Sequence, residues 1–313
     1  MDLSKSQLNI SHLKMICTIA QAETVKEAAE SLFITQPALS NRIREAERRL
    51  KTKLFTRRGR KLIITTAGER LLHSAKKILE ELSRAEHDIA RLSDGVELVL
   101  RLGLPHYASF RWLPEVMRQF AGHLPGIELE ITANAAKQPL TALFQGEVDI
   151  AIVSSANQVL TLDNNLYGSE FLLEDELLAC LSANHAKSGQ AFLTAQEFAD
   201  ETYITNSVVP EKDREYELFF QPENVIPRKV LQVGFNEAIV ELVKANIGVT
   251  IMSKNLIEPH LAGKAANGSQ PGEGDIHTVR LGHSGVKIYW HLVYVKQPHL
   301  DAPVKLLTDT LKR

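Results

Sequence analysis

The chain has 313 residues, which is too long for one ordinary core and fits two or three domains of about 100–150 residues each. Its composition, 44% hydrophobic and 24% charged, is that of a folded globular protein, and no stretch reaches the roughly 18 consecutive apolar residues that a membrane span needs. Cys17 and Cys180 are too few for a disulfide framework and have no metal-ligand spacing. The polar segment from Met1 to Ile10 lacks an apolar signal region, so we expect a cytoplasmic protein and exclude the secreted, disulfide-stapled and membrane-bound classes.

The charge is divided unevenly along the chain. Residues 1–93 carry 18 Lys and Arg against 11 Asp and Glu, whereas the remaining residues carry 18 against 27. The segment from Arg42 to Lys61 is the most basic, with ten Lys and Arg residues and only Glu45 and Glu47 to offset them. A positive charge this dense indicates a polyanionic partner, and the alternative is a solvated basic face. The imbalance therefore predicts two parts with different partners.

Three short helices are predicted in the N-terminal part. The first runs from about Ile10 to Gln21, with its apolar residues on one face. A capping box begins the second helix, Val25 to Leu32: the Thr24 hydroxyl satisfies the amide of Glu27, whose carboxylate reaches back. Thr35-Gln36-Pro37 then opens the third helix, because Thr caps well and Pro is tolerated in a first turn.

The third helix has an apolar and a polar side. Its polar side carries Gln36, Pro37, Ser40, Asn41, Arg44 and Arg48, and all of these except Pro37 present amide, hydroxyl or guanidinium groups. Two short strands, Lys53–Phe55 and Leu62–Ile64, are predicted around the basic turn that follows. Such an arrangement predicts a winged helix-turn-helix, in which the third helix enters the major groove and the wing touches phosphate. The alternative, a three-helix unit with an ordinary polar face, does not explain why basic residues crowd this helix and the turn after it.

Four motifs in this part resemble the signature of LysR-type transcriptional regulators. They are Thr35-Gln36-Pro37-Ala38-Leu39-Ser40, Ile43-Arg44, Leu54-Phe55 and Thr65-Thr66-Ala67-Gly68-Glu69. The resemblance implies that Gln36, Pro37 and Ser40 face double-stranded promoter DNA, with Thr35 and Arg57 near phosphates. Asn41 stands where the family often has Arg, and Ala46 where it often has Leu. The expected DNA-binding residues are Thr35, Gln36, Pro37, Ser40, Asn41, Arg44, Arg57, Arg58 and Arg60.

The segment from Thr66 to about Leu92 is predicted to be one long helix, because it contains no Pro. Its apolar residues recur at alternating spacings of 4 and 3, the heptad pattern of helices that pair with a second helix. The alternative is that the helix packs against the chain's own core. A palindromic DNA site, however, needs two DNA-binding domains at a fixed distance, which favours pairing of two copies of this helix. In the family that the chain resembles, this helix joins two chains, and tetramers are common. The expected seam consists of Leu71, Ala75, Ile78, Leu82, Ala85 and Ile89.

Beyond Ser93-Asp94-Gly95 the pattern changes to alternating strands and helices, which predicts mostly parallel sheets covered on both faces. Because the alternation occurs in two sets, we expect two lobes with a ligand site in the cleft between them. The expected fold is thus α/β with an N-terminal all-α winged helix-turn-helix, and the resemblance implies a two-lobed, periplasmic-binding-protein-like effector domain. The expected division is 1–65 for the DNA-binding domain, 66–93 for the dimerisation linker helix and 94–313 for the effector-binding domain, with lobe I at 94–165 and 270–313 and lobe II at 166–269.

Residues that follow the predicted strands are the candidates for the effector site. The first strand ends at Leu104, so the loop after it leads to a helix N-terminus, a position that suits a carboxylate. Asn236 has an alternative role as a helix N-cap, and His106 and Tyr107 have one in loop packing. The expected effector-binding residues are His106, Tyr107, Ser109, Asn134, Thr205, Asn206, Phe235 and Asn236.

Five segments of the C-terminal part resemble the LysR-type subgroup that regulates methionine biosynthesis and senses homocysteine. They are Arg101–Gly103, Trp112–Pro114, Pro139–Leu143, Gly146–Asp149 and Glu237–Val240. The resemblance implies homocysteine as the effector and RNA polymerase as a partner, besides DNA and a second copy of the chain. A different small organic acid or amino acid is the alternative effector. A solute-binding protein shares the two-lobed fold, but it would lack the basic head.

Catalysis finds little support in the sequence. There is no nucleophile elbow, no phosphate-binding Gly loop and no His pair at helical metal spacing, and the 11 His are scattered. We therefore expect a DNA-binding regulator and not an enzyme, with no cofactor and no metal ion.

Overall fold

The computed structural model describes residues 6–58, 61–207, 212–261 and 276–312, and the chain divides into two compact units, Met1–Val96 and Glu97–Arg313. The core of the N-terminal unit is built from α1, α2 and α3, with Met15, Ile16 and Leu39 fully buried between them. An antiparallel pair of strands follows α3, and a long helix ends the unit. The elements are α1 (Ile10–Gln21), α2 (Val25–Ser31), α3 (Gln36–Leu50), β1 (Phe55–Arg58), β2 (Lys61–Ile64) and α4 (Thr66–Ser93).

The start of α2 differs in one hydrogen bond from the predicted capping box. The Thr24 hydroxyl accepts a hydrogen bond from the Glu27 amide at 3.1 Å, as predicted. The Glu27 carboxylate, however, accepts from the amide of Glu23 at 2.9 Å rather than from that of Thr24. The carboxylate thus reaches one residue further back, where it satisfies an amide that precedes the helix.

The C-terminal unit is built around one mixed sheet in the order β4-β3-β5-β12-β6-β11-β7, with β10 also paired to β6. Strands β8 and β9 form a separate parallel pair. The strands are β3 (Leu98–Gly103), β4 (Ile127–Ile131), β5 (Ile150–Ser155), β6 (Tyr167–Ser182), β7 (Phe192–Leu193), β8 (Thr202–Thr205), β9 (Lys229–Gln232), β10 (Thr250–Ser253), β11 (Ile276–Leu281) and β12 (Val286–Val295). The helices are α5 (Leu113–His123), α6 (Pro139–Phe144), α7 (Ala195–Ala199), α8 (Asn236–Lys244), α9 (Lys254–Ile257) and α10 (Asp301–Leu311).

The prediction of mostly parallel sheets is wrong for the centre of this unit. Strand β3 does pair parallel with β4 and β5, as strand–helix–strand crossovers require. Strand β6, in contrast, pairs antiparallel with β10, β11 and β12, and β12 pairs antiparallel with β5. The reason is topological: β11 and β12 run back along β6 after the chain has completed its second set of strands and helices.

Strand β6 pairs with strands from both expected lobes. Its first part pairs with β12, and from Leu177 onward it pairs with β10 and β11. In the expected division β6 and β10 lie in lobe II, whereas β11 and β12 lie in lobe I. The predicted return segment, Gly263 to Gly274, lies outside the described residues.

Candidate functional site

The exposed face of α3 carries the side chains predicted to bind DNA. Thr35 caps the helix, since its hydroxyl accepts a hydrogen bond from the Ala38 amide at 3.3 Å. Gln36 and Pro37 form the exposed first turn, where the helix dipole favours an anion such as phosphate. Ser40 is half-buried one turn further along. This end of α3 therefore offers polar groups and a positive electrostatic potential on one side.

Asn41 and Arg44 form a pair on the same face. The Arg44 Nη2 atom donates a hydrogen bond to Asn41 Oδ1 at 2.5 Å, and both side chains are exposed. Arg57 on β1 is exposed as well. Of Arg58 only the backbone is described, and Arg60 lies outside the described residues.

A carboxylate that was not predicted to be structural holds the wing against α3. Glu47 is buried on α3, and its Oε1 atom accepts hydrogen bonds from the amides of Leu54 at 3.0 Å and Phe55 at 3.3 Å. Its Oε2 atom accepts from Lys53 Nζ at 2.7 Å. Gly68, in the first turn of α4, lets that helix approach the wing closely, because a Cβ atom there would collide with the carbonyl oxygen of Leu54. The first strand of the wing, β1, therefore has a defined position relative to α3.

The predicted seam of α4 divides into two halves. Ala75 is fully buried in the core of its own unit and Leu71 packs against that core, which is the alternative that the sequence left open for this part of the helix. The reason is that the start of α4 packs on α1. Further along, Ile78 and Ile89 are 49% and 63% exposed, Ala85 is exposed and Leu82 is half-buried. An apolar stripe thus remains uncovered along the C-terminal half of α4.

A narrow cavity of about 10 Å³, which is roughly the room that one water molecule needs, lies between the two lobes of the C-terminal unit. Four of the predicted effector residues line it, namely Tyr107, Thr205, Asn206 and Asn236. The other lining residues are Arg214, Glu215, Ile239, Thr250, Ile251, Met252 and Leu256.

Three contacts join the lobes beside this cavity. Asn236 Nδ2 donates to the backbone carbonyl of His106 at 2.7 Å. The Arg214 guanidinium lies over the Tyr107 ring, 3.8 Å from its centre. Ser155 Oγ donates to Asp213 Oδ2 at 3.3 Å. A ligand that enters the cavity therefore meets side chains that hold the lobes together.

Asn236 has a different role from the predicted N-cap. Helix α8 begins at Asn236, and Phe235 occupies the N-cap position without a side-chain hydrogen bond. The side-chain amide of Asn236 is therefore available to donate to the His106 carbonyl. Its Oδ1 atom accepts a hydrogen bond from Asn206 Nδ2 at 3.4 Å. Phe235 itself is largely exposed, and neither Ser109 nor Asn134 lines the cavity. His106 reaches this region through its carbonyl, while its ring contacts the Ala136 carbonyl and the Tyr107 ring.

Arg214 and Glu215 were missed by the sequence analysis. Arg214 Nε donates to Glu215 Oε2 at 3.2 Å, and Glu215 Oε1 accepts from the Tyr203 hydroxyl at 3.0 Å. Burial and the neighbouring Glu215 charge raise the pKa of Tyr203 well above its ordinary value, so this hydroxyl remains a donor. The available signal was the charged run 212–215, which directly precedes a segment rich in aromatic residues.

The described residues contain neither a metal-binding group nor a membrane-spanning helix. Within those residues, no group of three or more His, Cys, Asp or Glu is placed to hold a metal ion. None of the helices in the described part of the chain is long and apolar enough to cross a membrane.

Comparison with known protein families agrees with the two units. Residues 10–69 match the family described as bacterial regulatory helix-turn-helix protein, lysR family, and residues 93–313 match the LysR substrate binding domain. The chain belongs to the LysR family. Members of this family are DNA-binding transcriptional regulators and not enzymes, and the chain combines their helix-turn-helix with their two-lobed effector-binding domain.

Several relatives carry the name MetR. The transcriptional regulator MetR of Haemophilus influenzae is 31% identical over 201 residues, which span 64% of this chain and 63% of that protein, less than two thirds of its length. MetR of Escherichia coli is 26% identical over 251 residues, 80% of this chain and 76% of that protein. The regulator CfxR of Cupriavidus necator is 24% identical over 294 residues, 94% of this chain and 88% of that protein.

Solved structures share the fold at low identity. Full-length CbnR, solved in complex with its target DNA, superposes with a TM-score of 0.67 at 17% identity and covers 97% of this chain and 100% of its own. The regulatory domain of MetR from N. meningitidis superposes with a TM-score of 0.57 at 20% identity and covers 69% of this chain and 92% of its own. Both support the two-lobed architecture of the C-terminal unit.

Proposed function

We propose that this LysR-family regulator binds promoter DNA through α3 and the wing, and that a small molecule in the inter-lobe cavity changes this binding. The observation that carries the proposal is the cavity itself, because its lining includes the groups that join the lobes. A ligand alters the promoter affinity only if it binds one arrangement of the lobes more tightly than another. The proposed division into domains remains 1–65, 66–93 and 94–313, in a cytoplasmic protein.

The DNA contacts divide into positioning and sequence reading. Arg57, Arg58 and Arg60 contact phosphates, together with Thr35 at the start of α3, and such contacts supply affinity that falls as salt rises. Gln36, Pro37, Ser40, Asn41 and Arg44 face base edges in the major groove. Two observations support this assignment: the polar face of α3 is exposed, and the Glu47 carboxylate accepts hydrogen bonds from two amides at the start of the wing.

The assignment is tested with two substitutions. Arg57→Ala should weaken binding to all DNA sequences about equally, whereas Gln36→Ala should also relax the preference among sequences by about 1–3 kcal/mol. Fluorescence anisotropy with the promoter and scrambled duplexes over a salt series measures both effects. Arg118→Ala, which removes an exposed cation of the C-terminal unit, is the matched control. An equal loss of preference in both variants would contradict the division.

The exposed half of α4 joins two chains in this proposal. The uncovered side chains of Ile78, Ala85 and Ile89, with the half-buried Leu82, are arranged along one side of a 28-residue helix. Ile89→Asp should therefore shift the chain toward the monomer in sedimentation velocity and weaken binding to a two-site operator more than to a half-site. Leu166→Asp, at an exposed apolar residue of the C-terminal unit, is the control and should leave the oligomer unchanged. An unchanged oligomer in Ile89→Asp would remove this role of α4.

Homocysteine is the proposed effector, and methionine biosynthesis the proposed target pathway. The support is the named MetR relatives at 26–31% identity, together with the subgroup motifs of the C-terminal part. RNA polymerase is the proposed partner at the promoter. Titration calorimetry that detects no heat on addition of L-homocysteine would remove this effector and leave the regulator assignment in place.

A further inference from the structure

The turn between α2 and α3 carries an exposed aromatic side chain. Among the exposed large apolar residues of the described chain, Phe33 has the highest exposed fraction, 95%, and Val159 follows at 81%. An aromatic ring left in water forgoes the favourable free energy that its burial supplies. The Phe33 ring is therefore available to a partner outside its own unit.

The backbone of Phe33 lies in the left-handed region. Its φ is 54°, a conformation that costs free energy for a bulky residue and that glycine adopts freely. Two hydrogen bonds fix this turn, since the Phe33 amide donates to the Glu30 carbonyl at 3.0 Å and the Ile34 amide to the Ala29 carbonyl at 3.0 Å. Together they form the Schellman motif, in which the left-handed position is usually a glycine. The turn thus requires a positive φ at this position but not an aromatic side chain.

The Phe33 ring does not contribute to the core of the N-terminal unit. Its neighbours Leu32 and Ile34 pack against that core, whereas Phe33 is not among the described residues that do. The stability of the unit alone would therefore favour glycine at this position. A residue that is strained and exposed at the same place points to a function other than folding.

Phe33 lies beside the end of α3 that carries the proposed DNA contacts. It precedes the cap residue Thr35 by two positions, so the Cα atoms of these two residues are at most about 7 Å apart. In helix-turn-helix proteins, the N-terminal residues of the helix in the major groove contact base edges. The ring therefore extends the surface that Gln36 and Pro37 present at the first turn of α3.

The chemistry of the ring selects its partner on the DNA. A phenyl ring carries neither a charge nor a hydrogen-bond donor, so it has nothing to offer a phosphate. The major groove presents one apolar group, the C5 methyl group of thymine, and Phe is one of the side chains that contact it. Basic residues near α3 attract any duplex regardless of its sequence, whereas a contact with this methyl group depends on the sequence.

We propose that Phe33 contacts the C5 methyl group of a thymine in each half-site of the operator. The contact buries the ring, offsets the strain of the turn and favours thymine at that base pair. The proposal rests on the proposed function, because it takes α3 to be the helix that enters the major groove.

Operator duplexes with and without single methyl groups test the proposal on the full chain. In vitro selection from random duplexes with the unaltered chain supplies the operator, and each thymine is then replaced in turn by deoxyuridine, which lacks only the methyl group. At one position in each half-site this replacement should weaken binding about fourfold, since burial of one such group contributes about 0.8 kcal/mol. Phe33→Gly should bind the original operator at least about fourfold more weakly and should not respond to deoxyuridine at that position.

Three comparisons separate the contact from folding. Phe33→Gly relieves the strain of the turn and should raise the urea midpoint of the N-terminal unit, so its weaker DNA binding is not a loss of structure. Phe33→Leu keeps an apolar side chain and should retain part of the response to the methyl group. Val159→Ala removes exposed apolar surface from the C-terminal unit and should leave DNA binding unchanged.

The outcomes separate this proposal from the proposed function. Equal operator affinities of Phe33→Gly and the unaltered chain would overturn the thymine contact and keep the DNA-binding regulator. A loss in Phe33→Gly that is the same on the original operator and on every deoxyuridine duplex would assign the ring to the sugar-phosphate backbone and also overturn it. A smaller oligomer of Phe33→Gly in sedimentation velocity without DNA would assign the ring to a second copy of the chain instead. If the unaltered chain binds no duplex, the proposed function fails and the contact with it.

Discussion

Replacing Glu47 with Ala should loosen the wing from α3. The Glu47 carboxylate is the acceptor for the backbone amides of Leu54 and Phe55, and all three residues are buried. In Glu47→Ala both amides lose this acceptor at a place where water has little access. The perturbation therefore acts on the hydrogen bonds of the wing and leaves the exposed face of α3 unaltered.

The magnitude follows from the two amides. A hydrogen bond to a charged group contributes about 1.5–3 kcal/mol, so the loss of two should cost at least about 3 kcal/mol. The ion pair with Lys53 adds little, because the Lys53 side chain is 74% exposed. Glu47→Gln keeps a neutral acceptor and should cost about half as much.

Hydrogen exchange of the Leu54 and Phe55 amides measures the effect directly. A cost of about 3 kcal/mol corresponds to exchange that is faster by roughly a hundredfold. Glu30→Gln, at an exposed carboxylate of α2, is the control and should leave both amides as they are. Unchanged exchange of the two amides in Glu47→Ala would refute the reasoning, and so would equal effects of the Ala and Gln variants.

Lys51→Gly should stabilise the N-terminal unit by up to about 1 kcal/mol, because Lys51 ends α3 with a φ of 54°, where glycine is free of strain. A higher urea midpoint is expected, and a midpoint at or below that of the unaltered chain would contradict this. Lowering the pH through about 6.5 should destabilise the chain, since burial lowers the pKa of His12 and His291 from 6.5. Below this pH the two histidines bind protons more readily in the unfolded chain than in the folded one. Their contribution to stability is therefore complete above the unfolded pKa and is lost as the pH falls. Between about pH 7.5 and about pH 5.5, the melting temperature of His291→Gln should therefore fall by less than that of the unaltered chain. Equal falls in melting temperature would contradict this role of His291.

The helix-turn-helix was predictable because its signals are local. Thr24 and Thr35 cap helices in the structure as predicted, and α1 has the predicted bounds Ile10–Gln21. Each of these features depends on residues within one helical turn of each other.

The centre of the C-terminal unit was not predictable in the same way. Strand β6 begins at Tyr167, and its first half carries acidic residues that are more typical of a loop than of a strand. In the structure Asp175 accepts a hydrogen bond from Trp290 Nε1 at 3.1 Å, and Glu174 pairs with Lys287 at 2.7 Å. These partners come from β12, more than a hundred residues along the chain, and no local pattern indicates them. Arg214 was missed for a similar reason, since its position over Tyr107 depends on how the two lobes meet.

The path of β6 limits how this protein can be divided or recombined. If the chain is cut anywhere along the sixteen residues of β6, one of the two fragments lacks part of a central strand of the sheet. The strand edges exposed in this way would favour aggregation. An exchange of ligand-binding lobes between relatives would have to carry β6 together with β11 and β12. New ligand specificity is therefore reached more readily through side chains that line the cavity than by transplanting a lobe.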